Sequence, residues 1–115
     1  MADKGVNRSR GENDLFRFVK TIYSGKIVRN YKDHYELDLF LPELNLAIEY
    51  NGIYWHSNKF SKDDRFIKKL KYFKDKYIQI INIYEDEWRQ KKKIVKQKTF
   101  THIRDTRKKN ICQEL

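Results

Sequence analysis

At 115 residues the chain has room for one core, and 39% apolar with 15% aromatic residues are enough to build it, so a charged fraction of 37% does not make a disordered polymer. Lys and Arg outnumber Asp and Glu by 26 to 16, a net charge of +10, which favours a polyanionic partner, nucleic acid before a membrane surface. The single cysteine, Cys112, excludes an internal disulfide and a thiolate zinc site, no run reaches the roughly 18 apolar residues of a membrane span, and MADKGVNRSRGEND has no apolar signal core, so a soluble, cytoplasmic protein is expected and any metal would sit on oxygen ligands.

In chain order, residues 1–10 read as a flexible segment, 11–105 as a single domain and 106–115 as a basic tail. From Glu12, ENDLFRFVKTIY carries Leu15, Phe16, Phe18, Val19 and Ile22 at helical spacing, with Asn13 or Asp14 to cap and Ser24-Gly25 to end it. KIVRNY is a short strand, and Lys32-Asp33 turn into YELDLFL, where Tyr35, Leu37, Leu39 and Leu41 alternate with Glu36, Asp38 and Phe40. Pro42 stops it, and LNLAIEY forms a third strand, antiparallel through so short a link.

After Gly52 comes a loop of aromatic and polar groups, then a helix from about Lys62 to Lys76 with Phe66, Ile67, Leu70 and Phe73 on one face. YIQIINIYE, nearly continuous in apolar residues, reads as a central strand buried on both faces and parallel to the third through a right-handed crossover. DEWRQKKKIVKQKTFTHIRD closes the chain as one helix with Trp88, Ile94 or Val95, and Ile103 inward. The class is α/β (α+β), a mixed central sheet flanked by helices in the order α-β-β-β-α-β-α.

Two acids stand where buried strands prefer none. Asp38 taken alone is an ordinary solvent-facing residue of a hairpin. Glu49 alters that reading, because with the turn near Glu43-Leu44 the two come level across the antiparallel pair, and like charges so placed repel. A hard divalent cation such as Mg²⁺, which takes one or two carboxylates plus waters and substrate phosphate, would remove the penalty. His56 follows a glycine turn that can return it toward the pair, and His is the side chain that moves protons near neutral pH. Asp63 and Asp64 head the next helix, as caps or as further members of the site.

The blocks GEN-x-L, ELD, LNLAIEYNGIYWHS and IINIYEDEW, spread over most of the chain from Gly11 to Ile94, resemble the PD-(D/E)XK nuclease superfamily. The likeness is to its very-short-patch mismatch repair branch, and most of all to phage homing endonucleases of the EDxHD type. The resemblance implies a restriction-endonuclease-like fold and a metal-dependent endodeoxyribonuclease in a phage or bacterial host cell. It assigns Glu12 to the helical glutamate near the metal, Asp38 to the direct metal ligand, and Glu49 to the second acidic position, which is not acidic in the mismatch repair branch. His56 takes the place of the histidine that activates water, and Asp64, or Asp63 beside it, that of the last acid. Asn51 replaces the superfamily lysine, so charge stabilisation falls to His56, Lys59 or Lys69. Leu37 replaces the usual proline.

Phosphodiester hydrolysis needs an activated water, an electrophile on the scissile phosphate and a proton for the 3′-oxygen. Asp38 and Glu49 with Mg²⁺ (or Mn²⁺), and His56 as base, cover these roles. For double-stranded DNA the sequence offers Tyr54 and Trp55 as stacking or wedging groups and Lys59, Lys62, Lys69, Lys91, Lys92 and Lys93 as phosphate contacts, most such lysines being ordinary solvated charge. Three other readings stand beside the homing endonuclease: a mismatch-repair-type nicking enzyme, a junction resolvase, and a DNA-binding module without activity. Target choice would need a homodimer or a separate DNA-targeting domain.

Overall fold

The computed structural model describes residues 9–52 and 64–114, with side chains at 9–52 and 67–109. The first helix, α1 (Arg10–Ile22), starts one turn earlier than its apolar spacing suggests. Ser9 is extended, and its hydroxyl accepts the Glu12 N–H at 3.1 Å. That cap satisfies an N–H left orphaned in the first turn, so Ser9 does the work expected of Asn13 or Asp14 and Glu12 falls inside the first turn. Leu15 and Val19 are fully buried on the inner stripe, and Phe16, Phe18 and Ile22 pack beside them.

Strands β1 (Val28–Asp33) and β2 (Tyr35–Leu41) are antiparallel, with Asp33 opposite Tyr35 and only His34, at φ 66°, between them. The hairpin therefore runs past the turn expected at Lys32-Asp33. Pro42–Leu44 form one 3₁₀ turn, Asn45 adopts the left-handed conformation, and β3 (Leu46–Asn51) returns antiparallel to β2. Helix α2 (Asp64–Asp75) leads to β4 (Gln79–Tyr84), which pairs parallel to β3. The chain ends in α3 (Glu85–Gln90) and α4 (Lys92–Glu114). The sheet order is β1-β2-β3-β4, a mixed sheet flanked by helices, as the sequence predicts.

Each face of the sheet carries its own core. Leu39, Leu41, Leu46, Ile48 and Ile83 pack with Leu15 and Val19 of α1, Trp88 of α3 and Ile103 of α4; Leu37, Phe40 and Ala47 pack with Phe73 of α2. Four expectations are corrected by this arrangement. Among the described residues β4 is an edge strand: Ile81 and Ile83 meet the first cluster and Ile80 the second, so its apolar run reports helices on both faces and not a strand on both sides. The last helix is two, interrupted at Lys91 (φ −127°, ψ 37°). Ile67 on α2 is 53% exposed, outside the face that Phe73 buries, whereas of the two expected inward residues on the last helix it is Val95 that packs inward and Ile94 that is 54% exposed. Finally, β2 does not alternate simply, since Leu37 and Leu39 lie in different clusters.

That last break positions the site. On β1, Val28 and Tyr31 share a cluster although three residues apart, and Asn30 between them has φ 53°. The β1–β2 register pairs Arg29 with Leu39 and Tyr31 with Leu37, which leaves Asn30 level with Asp38. Both strands thus switch faces at one level. A side chain there is neither committed to the α1 face nor to the α2 face.

Candidate functional site

The β2–β3 ladder ends at Leu39 and Ile48, one step short of Asp38 and Glu49. Beyond it the two carboxylates replace the missing rungs. The Asp38 N–H donates to Glu49 Oε2 at 2.9 Å, and the Tyr50 N–H donates to Asp38 Oδ2 at 2.8 Å. The strands are thereby held apart at a fixed width by side chains, with Asp38 and Glu49 level, as the turn position predicts. Burial, then the neighbouring Glu49 charge, push the Asp38 carboxyl up to about 7; the Tyr50 N–H opposes this and Glu12 adds a smaller push upward.

The flanking acids each have a cation. Glu49, 6% exposed, pairs through Oε1 with the Lys69 ammonium, which reaches down from α2. On the other face, Arg29 Nη2 lies 3.4 Å from Glu12 Oε2 and 3.0 Å from Asn13 Oδ1, with its guanidinium 4.3 Å above the Phe16 ring. Among the described residues, Asp38, between them, accepts from the Tyr50 amide and pairs with no cation. Asn51 spends its side chain on Asn82 at 2.9 Å and ties β3 to β4.

Glu12, Asp38, Glu49 and Lys69, proposed from sequence, therefore stand together at one level of the sheet. His56, Tyr54, Trp55, Lys59, Lys62 and Asp63 lie outside the described residues. Asp64 opens α2, its side chain also outside them. Among the described residues no three His, Cys, Asp or Glu side chains converge as a complete metal cluster; the donor set on the page is the Asp38/Glu49 pair, two hard oxygen ligands, which suits a cation that completes its shell with water and phosphate. Of the lysines at the α3–α4 junction, Lys91 and Lys93 are exposed, whereas Lys92 lies 3.5 Å from Asp14 Oδ2 and 5.1 Å above the Trp88 ring. Lys92 is part of the packing of α1 against α3.

Sequence reasoning passed over three contributors. Arg29 sits in KIVRNY with nothing to distinguish it from other basic strand residues. Tyr50 contributes its main-chain N–H, which no sequence pattern displays. Gly11 lies so close to Tyr50 that a Cβ there would meet the phenol and displace it, and its one signal is the GEN block in which it stands.

No protein-family model matches the chain and no curated protein shows significant similarity to it. Its fold has a solved counterpart in the "Homing Endonuclease I-Bth0305I Catalytic Domain", with a TM-score of 0.60 at 23% identity over 80% of this chain and 91% of that one. The chain shares the fold of a homing endonuclease catalytic domain.

Proposed function

We propose that the protein is a Mg²⁺-dependent DNA endonuclease, the catalytic domain of a phage-type homing endonuclease of the PD-(D/E)XK superfamily. The observation that carries the reading is the Asp38/Glu49 pair, two carboxylates set level in a gap in the sheet where a structural sequence would place none. The shared fold and the net charge of +10 support it.

A divalent cation on Asp38 and Glu49 would supply electrophilic polarisation of the scissile phosphate. The chain's own residues do the rest. The Tyr50 and Asp38 amides fix the two carboxylates before substrate arrives, so no side-chain ordering is left for the reaction step. Glu12 adds negative charge at the α1 side of the gap, held in direction by Arg29. His56 is assigned the proton of the attacking water, and Lys69 supplies the positive charge that Asn51 cannot. Exposed lysines such as Lys91 and Lys93 hold the DNA backbone without reading bases.

The test is cleavage of supercoiled plasmid by the full chain in Mg²⁺, in EDTA, and by Asp38→Asn in Mg²⁺. The expected result is nicking or linearisation in Mg²⁺ alone, with loss of about 100-fold or more in the variant. Nicked circles without linear product would favour the mismatch-repair-type reading. Salt-sensitive DNA binding with no cleavage under any condition would leave a binding module and end the nuclease proposal for this chain.

A further inference from the structure

Both oxygens of the Glu49 carboxylate are engaged, because Oε2 accepts the Asp38 amide and Oε1 holds the Lys69 ammonium. A divalent cation placed between Asp38 and Glu49 would draw on the same carboxylate charge that Lys69 neutralises. Resting on the proposed function, we propose that Lys69 is the resident counter-ion of this site and competes with the metal for Glu49, so that metal entry displaces the Lys69–Glu49 pair and frees the ammonium at the edge of the site.

Three observations converge on this. Lys69 is aimed by its helix: Phe73, one turn further along α2 on the same side, is completely buried under the sheet, and Tyr72 donates to Asp33 on β1 at 3.0 Å. The pair is largely withdrawn from water, with 24% of the Lys69 side chain and 7% of the Glu49 side chain exposed. Charge balance requires a cation here in the metal-free protein, since a buried carboxylate beside a second one is costly when unpaired. Lys69 meets that need with one charge, and a divalent ion meets it with two. The two cations repel at such range, so each weakens the other's hold on the shared carboxylate.

Binding of Mn²⁺ to the DNA-free protein tests this without reference to cleavage. Titration calorimetry at about pH 8 should give Lys69→Met a dissociation constant about tenfold or more tighter than the wild type, since one positive charge and one competitor are gone. Lys69→Arg, which keeps the charge, should bind as the wild type does. Equal or weaker Mn²⁺ binding by Lys69→Met overturns the proposal. As a second measurement on the unmodified chain, the side-chain NMR signal of Lys69 Nζ should lose its ion-paired character as Mg²⁺ saturates the site; a signal unchanged at saturation also overturns it, even if Lys69→Met does not fold. Wild type that binds no Mn²⁺ at millimolar concentration would defeat the metal reading as well. Binding abolished by Asp38→Asn but indifferent to Lys69→Met would defeat only the competition.

Discussion

Asp38 shows how one residue can be placed against its own stability. Its ordinary value is 3.8, and in the fold it is pushed up to about 7 by burial and by Glu49. A carboxyl raised in this way contributes its stabilisation fully below 3.8, where both states are protonated, and loses it as pH rises through 7, because the unfolded chain releases the proton more readily. Asp38→Asn keeps an oxygen for the Tyr50 N–H and removes the charge. In EDTA it should therefore melt above the wild type at about pH 8, with the difference closing toward pH 4, each 1 kcal/mol being worth about 4–8 °C. A variant that melts below the wild type at the higher pH would show that Asp38 is a structural anion and not a strained one.

At the scale of elements, α1 is the part whose boundary matters most. Its first turn carries Gly11 against the Tyr50 phenol and Glu12 beside the gap, and the Ser9 cap fixes where that turn begins. Ser9→Ala should cost about 1 kcal/mol, seen in a thermal melt as a fall of about 4–8 °C, and Ser9→Thr should recover most of it. The opposite end of α1 is tied down by Tyr23, whose hydroxyl donates to Glu43 at 2.7 Å and is pushed up to about 12 by burial and then by that carboxylate. Both ends of the helix are thus fastened by residues that the apolar spacing does not register. Loss of the Ser9 effect in the alanine variant would mean that the turn starts elsewhere.

For the whole molecule the relevant quantity is charge. Under the proposed function, binding to DNA should weaken steeply with salt, because each phosphate contact releases counter-ions and contributes about 0.9 to the slope of log K against log salt. The structure separates lysines that can do this from those already engaged. Replacing exposed Lys91 and Lys93 together by Gln should flatten the slope by about 2. Replacing Lys92, which rests on Trp88 and faces Asp14, should alter thermal stability more than the slope. Fluorescence anisotropy across a salt series measures both, and a slope unchanged in the double variant would place the DNA on another face. Among the described residues no helix is long and apolar enough to cross a membrane.

By itself the sequence determined the class, the parallel crossover into β4 and the level pairing of Asp38 with Glu49, because hydrophobic period and turn position are local properties that survive without tertiary detail. The acids of the candidate site were legible for the same reason: a carboxylate in an apolar strand conflicts with its surroundings, and the conflict is visible in one dimension. Tertiary structure alone decided the rest. Whether YIQIINIY lies at the centre or the edge depends on what covers its faces, and helices and strands leave the same apolar run. The break at Lys91 has no Pro or Gly to announce it. The switch of faces at Asn30 and Asp38, and the pairing of Lys69 with Glu49 across 20 residues, exist only once α1 and α2 have closed on opposite sides of the sheet, since each is a choice between neighbours that the chain brings together from a distance.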